Sequence, residues 1–440
     1  MNMLNRTIST TLKQWKTDTH RKVLMVRGAR QVGKTFSIRN LGNEFDHFLE
    51  INFDENKDIH SLFESDLDVQ KIIQTIAVQY NVPIIAGKTL LFFDEIQACP
   101  NAIRSLRYFY EKTPDLHVIA AGSLLEFVLE EIPSFGVGRI QTLFMYPLTF
   151  HEFLWAIHPS LIPLIDKASA KNPLEQNLHK LAADYFKTYQ LIGGMPEVVN
   201  EYLQTGDYLR CTRLLDNLIQ SFQTDFAKYK KHAPIQTLRN VFNSIARQAG
   251  GKFIYKHAAP ELDSKTIKSA LELIIQAGLA YKIPHTSASG LPLGGQINPR
   301  KFKILPLDSG IYQRLLGLNL KDYFLTDDIH LMNKGNLAEV TAGVQLVHHQ
   351  LPIVQPQMYY WHREAKSSNA EIDYIIQIGS QILPIEVKAG TKGQMQSMYL
   401  FLKEKKLKRG VRLSMENFGE YNSIMTIPLY AINSLHNEDF

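Results

Sequence analysis

The sequence predicts an α/β protein built from a parallel sheet with helices, a helical connector, a helix-and-hairpin domain and a small C-terminal α/β domain. Three observations predict it. Short apolar runs at Arg21 to Arg27, Thr89 to Glu95 and Leu116 to Ala121 suit buried parallel strands, and the first runs straight into a glycine-containing turn and a helix. From Phe150 to about Tyr229, Leu, Ile, Phe and Tyr recur at helical spacing, with Pro159, Pro163 and Pro173 breaking the stretch into pieces. Near the end, Glu371 to Ile376 and Leu383 to Lys388 read as two strands joined by a tight turn. A chain of 440 residues exceeds one compact core. The expected domains are 1–150, 151–234, 235–330 and 331–440.

Composition narrows the class. Hydrophobic residues make up 45% and charged residues 21%, as in ordinary globular proteins, and no apolar run approaches the roughly 18 residues of a membrane span. The stretch Met1 to Lys22 has no apolar core of a secretory signal, so the expected location is the cytoplasm. Cys99 and Cys211 stand far apart without Cys/His ligand spacing, which argues against a disulfide framework or a structural zinc site. A formal charge of +5 permits an acidic partner or nucleic acid without requiring one.

The chemistry starts at the first strand, which feeds Gly28-Ala29-Arg30-Gln31-Val32-Gly33-Lys34-Thr35 and then a helix. This is the GxxxxGK[ST] spacing of a phosphate-binding loop. Gly28 and Gly33 let the backbone curl its N–H groups toward phosphate oxygens, Lys34 reaches the β and γ phosphates, and Thr35 ligates Mg²⁺. The helix that follows points its positive end at the same place. A working ATP site also needs carboxylates, and the second apolar strand ends in Asp94 and Glu95. Asp94 would hold Mg²⁺ indirectly, through the ion's own ligands, and Glu95 would orient or deprotonate the attacking water. The third strand ends in Gly122-Ser123, where Ser123 reads both as a γ-phosphate sensor and as the N-cap of the next helix, with Glu126 three residues on. Arg139 has two readings, a γ-phosphate contact in its own or a neighbouring subunit and an ordinary surface arginine. Arg30 reads as either a structural or a phosphate contact.

These residues resemble the bacterial and archaeal AAA-type ATPases whose loop reads G-x-R-Q-V-G-K-T. The likeness rests on GARQVGKT at 28 to 35, LLFFDEIQ at 90 to 97, AAGSLLEF at 120 to 127 and GRIQTLFMYPLTFHEF at 138 to 153. It implies a P-loop NTPase fold with a helical lid, ATP and Mg²⁺ as ligands, and hydrolytic roles for Asp94, Glu95 and Ser123. Gly193-Gly194-Met195-Pro196-Glu197 resembles the GG-x-P-E segment of such lids and reads physically as a tight turn whose glycines suggest a hinge. No arginine of the lid-sensor kind stands beside it.

Downstream, a helix at Thr237 to Gln248, a Gly250-Gly251 break and a capped helix from Ser264, with Ile267, Leu271 and Ile274 on one face, predict a winged helix-turn-helix whose wing is Pro284 to Pro299. Lys265, Thr266 and Lys268 would face a DNA groove if the module binds DNA; the same fold also serves as a protein-contact module. The last segment gathers Asp373, Glu386 and Lys388 on its strand pair, and alternation puts Glu386 and Lys388 on one face. With Glu339 of Gly335-Asn336-Leu337-Ala338-Glu339, this resembles the PD-(D/E)XK nuclease-like fold over about Asn333 to Arg412. The resemblance implies a divalent ion held by carboxylates and a lysine-assisted water. Open alternatives are an active nuclease, a nuclease-like binding module, and a plain hairpin with a Glu386–Lys388 surface pair. The run Lys403 to Arg409 reads as a solvated helix face ahead of a phosphate contact, and His362, with Trp361 and Arg363 in an aromatic strand, as a core or strand-end histidine ahead of a metal ligand. The expectation is therefore an ATP-driven switch acting on a macromolecule, DNA or a protein. Its competitors are an ATP-regulated nuclease and a nucleotide-gated DNA-binding regulator.

Overall fold

The computed structural model describes residues 4–64, 67–123, 125, 129, 138–229, 233–318, 334–363, 370–390 and 395–436. Glu126, Gly136, Val137 and Asn333 lie outside them, and with them the capping partner expected for Ser123. The chain divides into two units, one of Asn5–Tyr146 with Leu351–Gln355, the other of Met1–Leu4, Pro147–Gln350 and Pro356–Phe440.

The first unit is a five-stranded parallel sheet of β1 (Val23–Arg27), β2 (His47–Asn52), β3 (Thr89–Asp94), β4 (His117–Ala121) and β5 (Ile140–Phe144), in the order β2-β3-β4-β1-β5. Every residue of β3 and β4 is buried, which is why these stretches read as unbroken apolar runs rather than alternating ones. Around the sheet pack α1 (Ile8–Thr17), α2 (Lys34–Gly42), α3 (Val69–Tyr80) and α4 (Pro100–Lys112). The core on one face joins Met25, Ile51, Phe53, Phe93, Phe109 and Ile103, with Phe93 edge-on to Phe53, Phe63 and Phe109. Placing β4 between β1 and β3, with Met25 opposite Ala120 and Phe93 opposite Ala120, brings the C-terminal ends of all three strands together. At the sheet edge, the Phe144 amide donates to the Pro352 carbonyl at 2.7 Å, so the short 351–355 segment belongs to this unit.

The second unit starts with helices Phe150–Ile157, Gln176–Ile192, Pro196–Thr205 and Tyr208–Asp225. Thr149 opens the first with a reciprocal capping pair to Glu152. Helices Ile235–Gln248 and Ser264–Gln276 follow, the latter capped by Asp263, which accepts from the amides of Lys265 and Thr266 and from the Thr266 hydroxyl.

The rest is a mixed eight-stranded sheet of β6 (Ala280–Thr286), β7 (Ile297–Pro306), β8 (Tyr359–His362), β9 (Glu371–Ile378), β10 (Gln381–Lys388), β11 (Gly410–Ser414), β12 (Gly419–Tyr421) and β13 (Ile424–Pro428), in the order β12-β13-β11-β10-β9-β8-β6-β7. The hairpin expected as a wing thus continues into the C-terminal sheet, through His285 of β6 opposite Tyr360 of β8. A buried polar chain ties the helices to that sheet's helix Lys334–His348: Phe150 N donates to Gln345 Oε1, Gln345 Nε2 to the Tyr189 hydroxyl, and that hydroxyl to the Leu148 carbonyl. Among the described residues no helix is long and apolar enough to cross a membrane.

Candidate functional site

The loop after β1 has the backbone that its glycines predict. Gly28 lies at φ +147° and Gly33 at +98°, and between them Gln31 takes +63°, a left-handed value that is strained for a residue with a side chain. Gly28 is fixed sterically as well, because a Cβ there would stand 2.1 Å from the Met145 carbonyl oxygen. At the other end of the loop α2 begins at Lys34, so its first amides open toward the space the loop encloses.

Lys34 is buried, and its ammonium donates back to the carbonyls of Gly28 and Ala29 at 2.9 and 2.8 Å. Burial pushes it down to about 8, against the pull of Glu95 and Asp94; Arg30 is near enough to push the same way as burial. One residue on, the Thr35 hydroxyl donates to Asp94 Oδ2 at 2.9 Å, joining the loop to the tip of β3. Asp94 accepts the Glu95 amide on its other oxygen at 3.0 Å, and burial raises its carboxyl above the usual range. The pair Thr35 and Asp94 is the donor set a Mg²⁺ ion takes, hydroxyl and carboxylate oxygens beside a phosphate cradle, so the residues fit Mg-ATP.

Glu95 adopts left-handed backbone, φ +46°, at the turn leaving β3. Its carboxylate accepts a hydrogen bond from the Gln97 side-chain amide. Gln97 packs closely on Gly122 at the end of β4, where a Cβ would meet Gln97 Oε1 at 2.0 Å. Ser123 follows Gly122, buried, and its hydroxyl has no partner among the described residues. Lys34, Thr35, Asp94, Glu95 and Ser123 therefore all sit on the loop or at the tips of β3 and β4. Arg139, in contrast, pairs with Glu111 on α4. Gln97 was not singled out from the sequence; its only signal is its place two residues after Glu95.

Residues 20–154 match the family model of an AAA domain. With the glycine loop, the Thr35–Asp94 pair and the strand order β2-β3-β4-β1-β5 already in place, the assignment is direct. Residues 20–154 form an AAA domain with the P-loop NTPase fold. Two further stretches, 183–322 and 334–432, match models of domains of unknown function. No curated protein matches the chain. Among solved structures, the Walker-type ATPase of Pyrococcus abyssi aligns at 14% identity over 72% of this chain and 96% of that one, with a TM-score of 0.46. The Aeropyrum pernix ORC1 protein, solved in complex with DNA, aligns at 10% identity over 72% and 92%, with a TM-score of 0.28.

The second unit holds the other predicted cluster. Asp373 on β9 accepts the Val387 amide at 2.8 Å, and Lys388 pairs with Glu386 at 2.6 Å on β10. The second Glu386 oxygen is buried and has no partner among the described residues. Glu339 and Asp373 instead gather around a residue the sequence reading did not name: Lys303 of β7, 1% exposed, with its Nζ 3.0 Å from Glu339, 2.7 Å from Glu371 and 3.9 Å from Asp373. Burial works against the Lys303 charge, but Glu339, Asp373 and Glu371 together outweigh it and hold the ammonium protonated well above its ordinary range. Glu339 is pushed up to about 7, first by burial and then by Asp373. Among the described residues no three His, Cys, Asp or Glu side chains converge as a metal site. Two of the three carboxylates expected to hold a divalent ion, Glu339 and Asp373, thus gather with Glu371 around a lysine.

At the end of β8 is a cavity of about 500 Å³ whose lining includes His285, Asn298, Trp361, His362, Lys405 and the ion pair of Arg363 with Glu404 at 2.6 Å. Burial depresses His362, and the nearby cations Lys252 and Lys301 depress it further.

Proposed function

We propose that the chain is a Mg-ATP-driven switch: the ATPase domain hydrolyses ATP, and the second unit holds nucleic acid in a manner that the nucleotide state controls. The hydrogen bond between Thr35 and Asp94 carries the first half, because it sets a magnesium-type hydroxyl–carboxylate pair beside the phosphate loop. In this reading the amides of residues 29 to 35 and the Lys34 ammonium take the phosphates, with Lys34 exchanging its two carbonyl partners for phosphate oxygens. Thr35 and Asp94 hold Mg²⁺, which when bound neutralises charge on the β and γ phosphates. Glu95 orients the attacking water and takes its proton. Gln97 holds the Glu95 carboxylate in place until substrate is bound. Ser123 faces the γ-phosphate, and Arg30 and Arg139 are the further phosphate contacts, Arg139 after release from Glu111. Phosphate release from ATP, compared between the wild type and Glu95→Gln, tests this half.

The second half rests on the cavity beside β8, where Arg363, paired with Glu404, and Lys405, with Lys252 and Lys301 near His362, outnumber the one lining carboxylate and suit an anionic backbone. The helix-and-hairpin segment serves as a winged helix with Lys265, Thr266 and Lys268 toward DNA, and residues 334–432 as a nuclease-like domain. The competing reading is an ATP-regulated nuclease, favoured by Asp373, Glu386 and Lys388 on one hairpin. Asp373→Asn decides between them: strand cleavage disappears if the domain is a nuclease, and DNA binding persists if it is not.

A further inference from the structure

The nuclease-like resemblance calls for a divalent ion among Glu339, Asp373 and Glu386, and the side chains do not fit one. We infer that Lys303 supplies the cation of this acidic pocket from within the chain, so that the pocket takes no divalent metal and the domain grips its partner without cutting it.

Position comes first. The Lys303 ammonium stands 3.0 Å from Glu339, 2.7 Å from Glu371 and 3.9 Å from Asp373, at the point where three carboxylates from two elements meet: one on the helix Lys334–His348 and two on β9. A metal ligated by the same oxygens at about 2.1 Å would overlap the ammonium, and a dication beside a buried ammonium meets strong repulsion in a low dielectric.

Fixation comes second. Lys303 is paired on both sides of its backbone, to Ile283 of β6 and, by an isolated bridge, to Lys252. Its ammonium lies 5.4 Å from the ring centre of Tyr360 and 6.0 Å from that of Tyr374, whose hydroxyl donates to the Glu339 carbonyl. Neighbours Phe302 and Ile304 are buried. The lysine is thus built into the sheet, not laid over it from a loop.

The remaining members of the expected metal set are engaged elsewhere. Asp373 receives the Val387 amide, and Glu386 pairs with Lys388, leaving one buried Glu386 oxygen without a partner among the described residues. A lone oxygen of this kind is met by a water molecule.

The consequence for the second unit rests on its proposed nucleic-acid role; the metal question does not. Mn²⁺ binding to the full, nucleotide-free chain is followed by electron paramagnetic resonance, with Asp373→Asn as the reference that subtracts ions bound at the phosphate loop. The wild type and Asp373→Asn are expected to take up Mn²⁺ identically. Lys303→Met is expected to gain one site per chain, at least about tenfold tighter than any wild-type binding, and to lose it when Asp373→Asn is added. Removing the lysine leaves three carboxylates without their shared cation, so Lys303→Gln is made in parallel and the thermal melt of both variants is read with and without Mn²⁺, where the metal is expected to restore stability. Wild-type Mn²⁺ uptake that Asp373→Asn abolishes would overturn the inference, and this arm stands even if neither variant folds. A folded Lys303 variant that gains no site overturns it as well. Duplex DNA binding by the wild type, measured separately, tests the functional reading: its failure removes the role in gripping DNA and leaves the metal result intact.

Discussion

Lys34 holds two backbone carbonyls and lies in a cradle where burial pushes it down to about 8. A phosphate arriving there replaces neutral carbonyls with charged oxygens and favours the protonated form. Binding ATP must therefore take up a proton once the pH exceeds about 8, and affinity must fall with rising pH, by up to about tenfold per unit until the pKa of the bound state is reached. Titrating the wild type with ATP between pH 7 and 9.5 should show this fall, and Lys34→Met should bind weakly with no such dependence. A flat wild-type profile would mean that Lys34 does not contact phosphate. At this scale the loop residues were legible in the sequence from their spacing, and Asp94–Glu95 from the apolar run that they end. Gln97 and Lys303 were not, because each acquires its role from a side-chain contact that only folding creates, Lys303 from a glutamate 36 residues away.

Among the elements, the turn at Gly193-Gly194 shows what local sequence can and cannot tell. Its glycines suggested a hinge, and Gly193 does take a left-handed φ of +74°. The turn is nevertheless clasped: Gly194 N donates to buried Asp308 at 2.6 Å, and Asp308 also caps the helix Ser309–Leu315 through the Ile311 amide. A Cβ on Gly193 would sit 2.0 Å from Asp308 Oδ1. Gly193→Ala should therefore destabilise the second unit by about 2–4 kcal/mol, combining the φ penalty with loss of the clasp. Urea unfolding of the full chain checks this; a change below about 0.5 kcal/mol would mean that the turn relaxes freely. Strands β1, β3 and β4 were readable because full burial leaves unbroken apolar runs. The union of the β6–β7 hairpin with the C-terminal sheet was not, since the single pairing of His285 with Tyr360 leaves no periodic trace.

For the whole molecule, a net charge of +5 spread over 440 residues told little, and the useful charge is local, in Lys405 and in Arg363 with its partner Glu404 around one cavity. If that cavity meets a nucleic-acid backbone, duplex DNA binding should weaken at least about tenfold between 50 and 200 mM salt, and joint substitution Arg363→Ala and Lys405→Ala should lower affinity about tenfold. Fluorescence anisotropy reads both; salt-independent binding, or a double variant indistinguishable from wild type, would place the partner elsewhere. The claim on which the rest depends is that the first unit turns over ATP. The most direct test is phosphate release from Mg-ATP by the wild type and by Glu95→Gln, with nucleotide binding measured on the same samples. The account predicts turnover by the wild type, and a variant that binds ATP but releases phosphate at least about a hundredfold more slowly. A wild type that binds ATP and never releases phosphate, or a Glu95→Gln variant with full turnover, would contradict it.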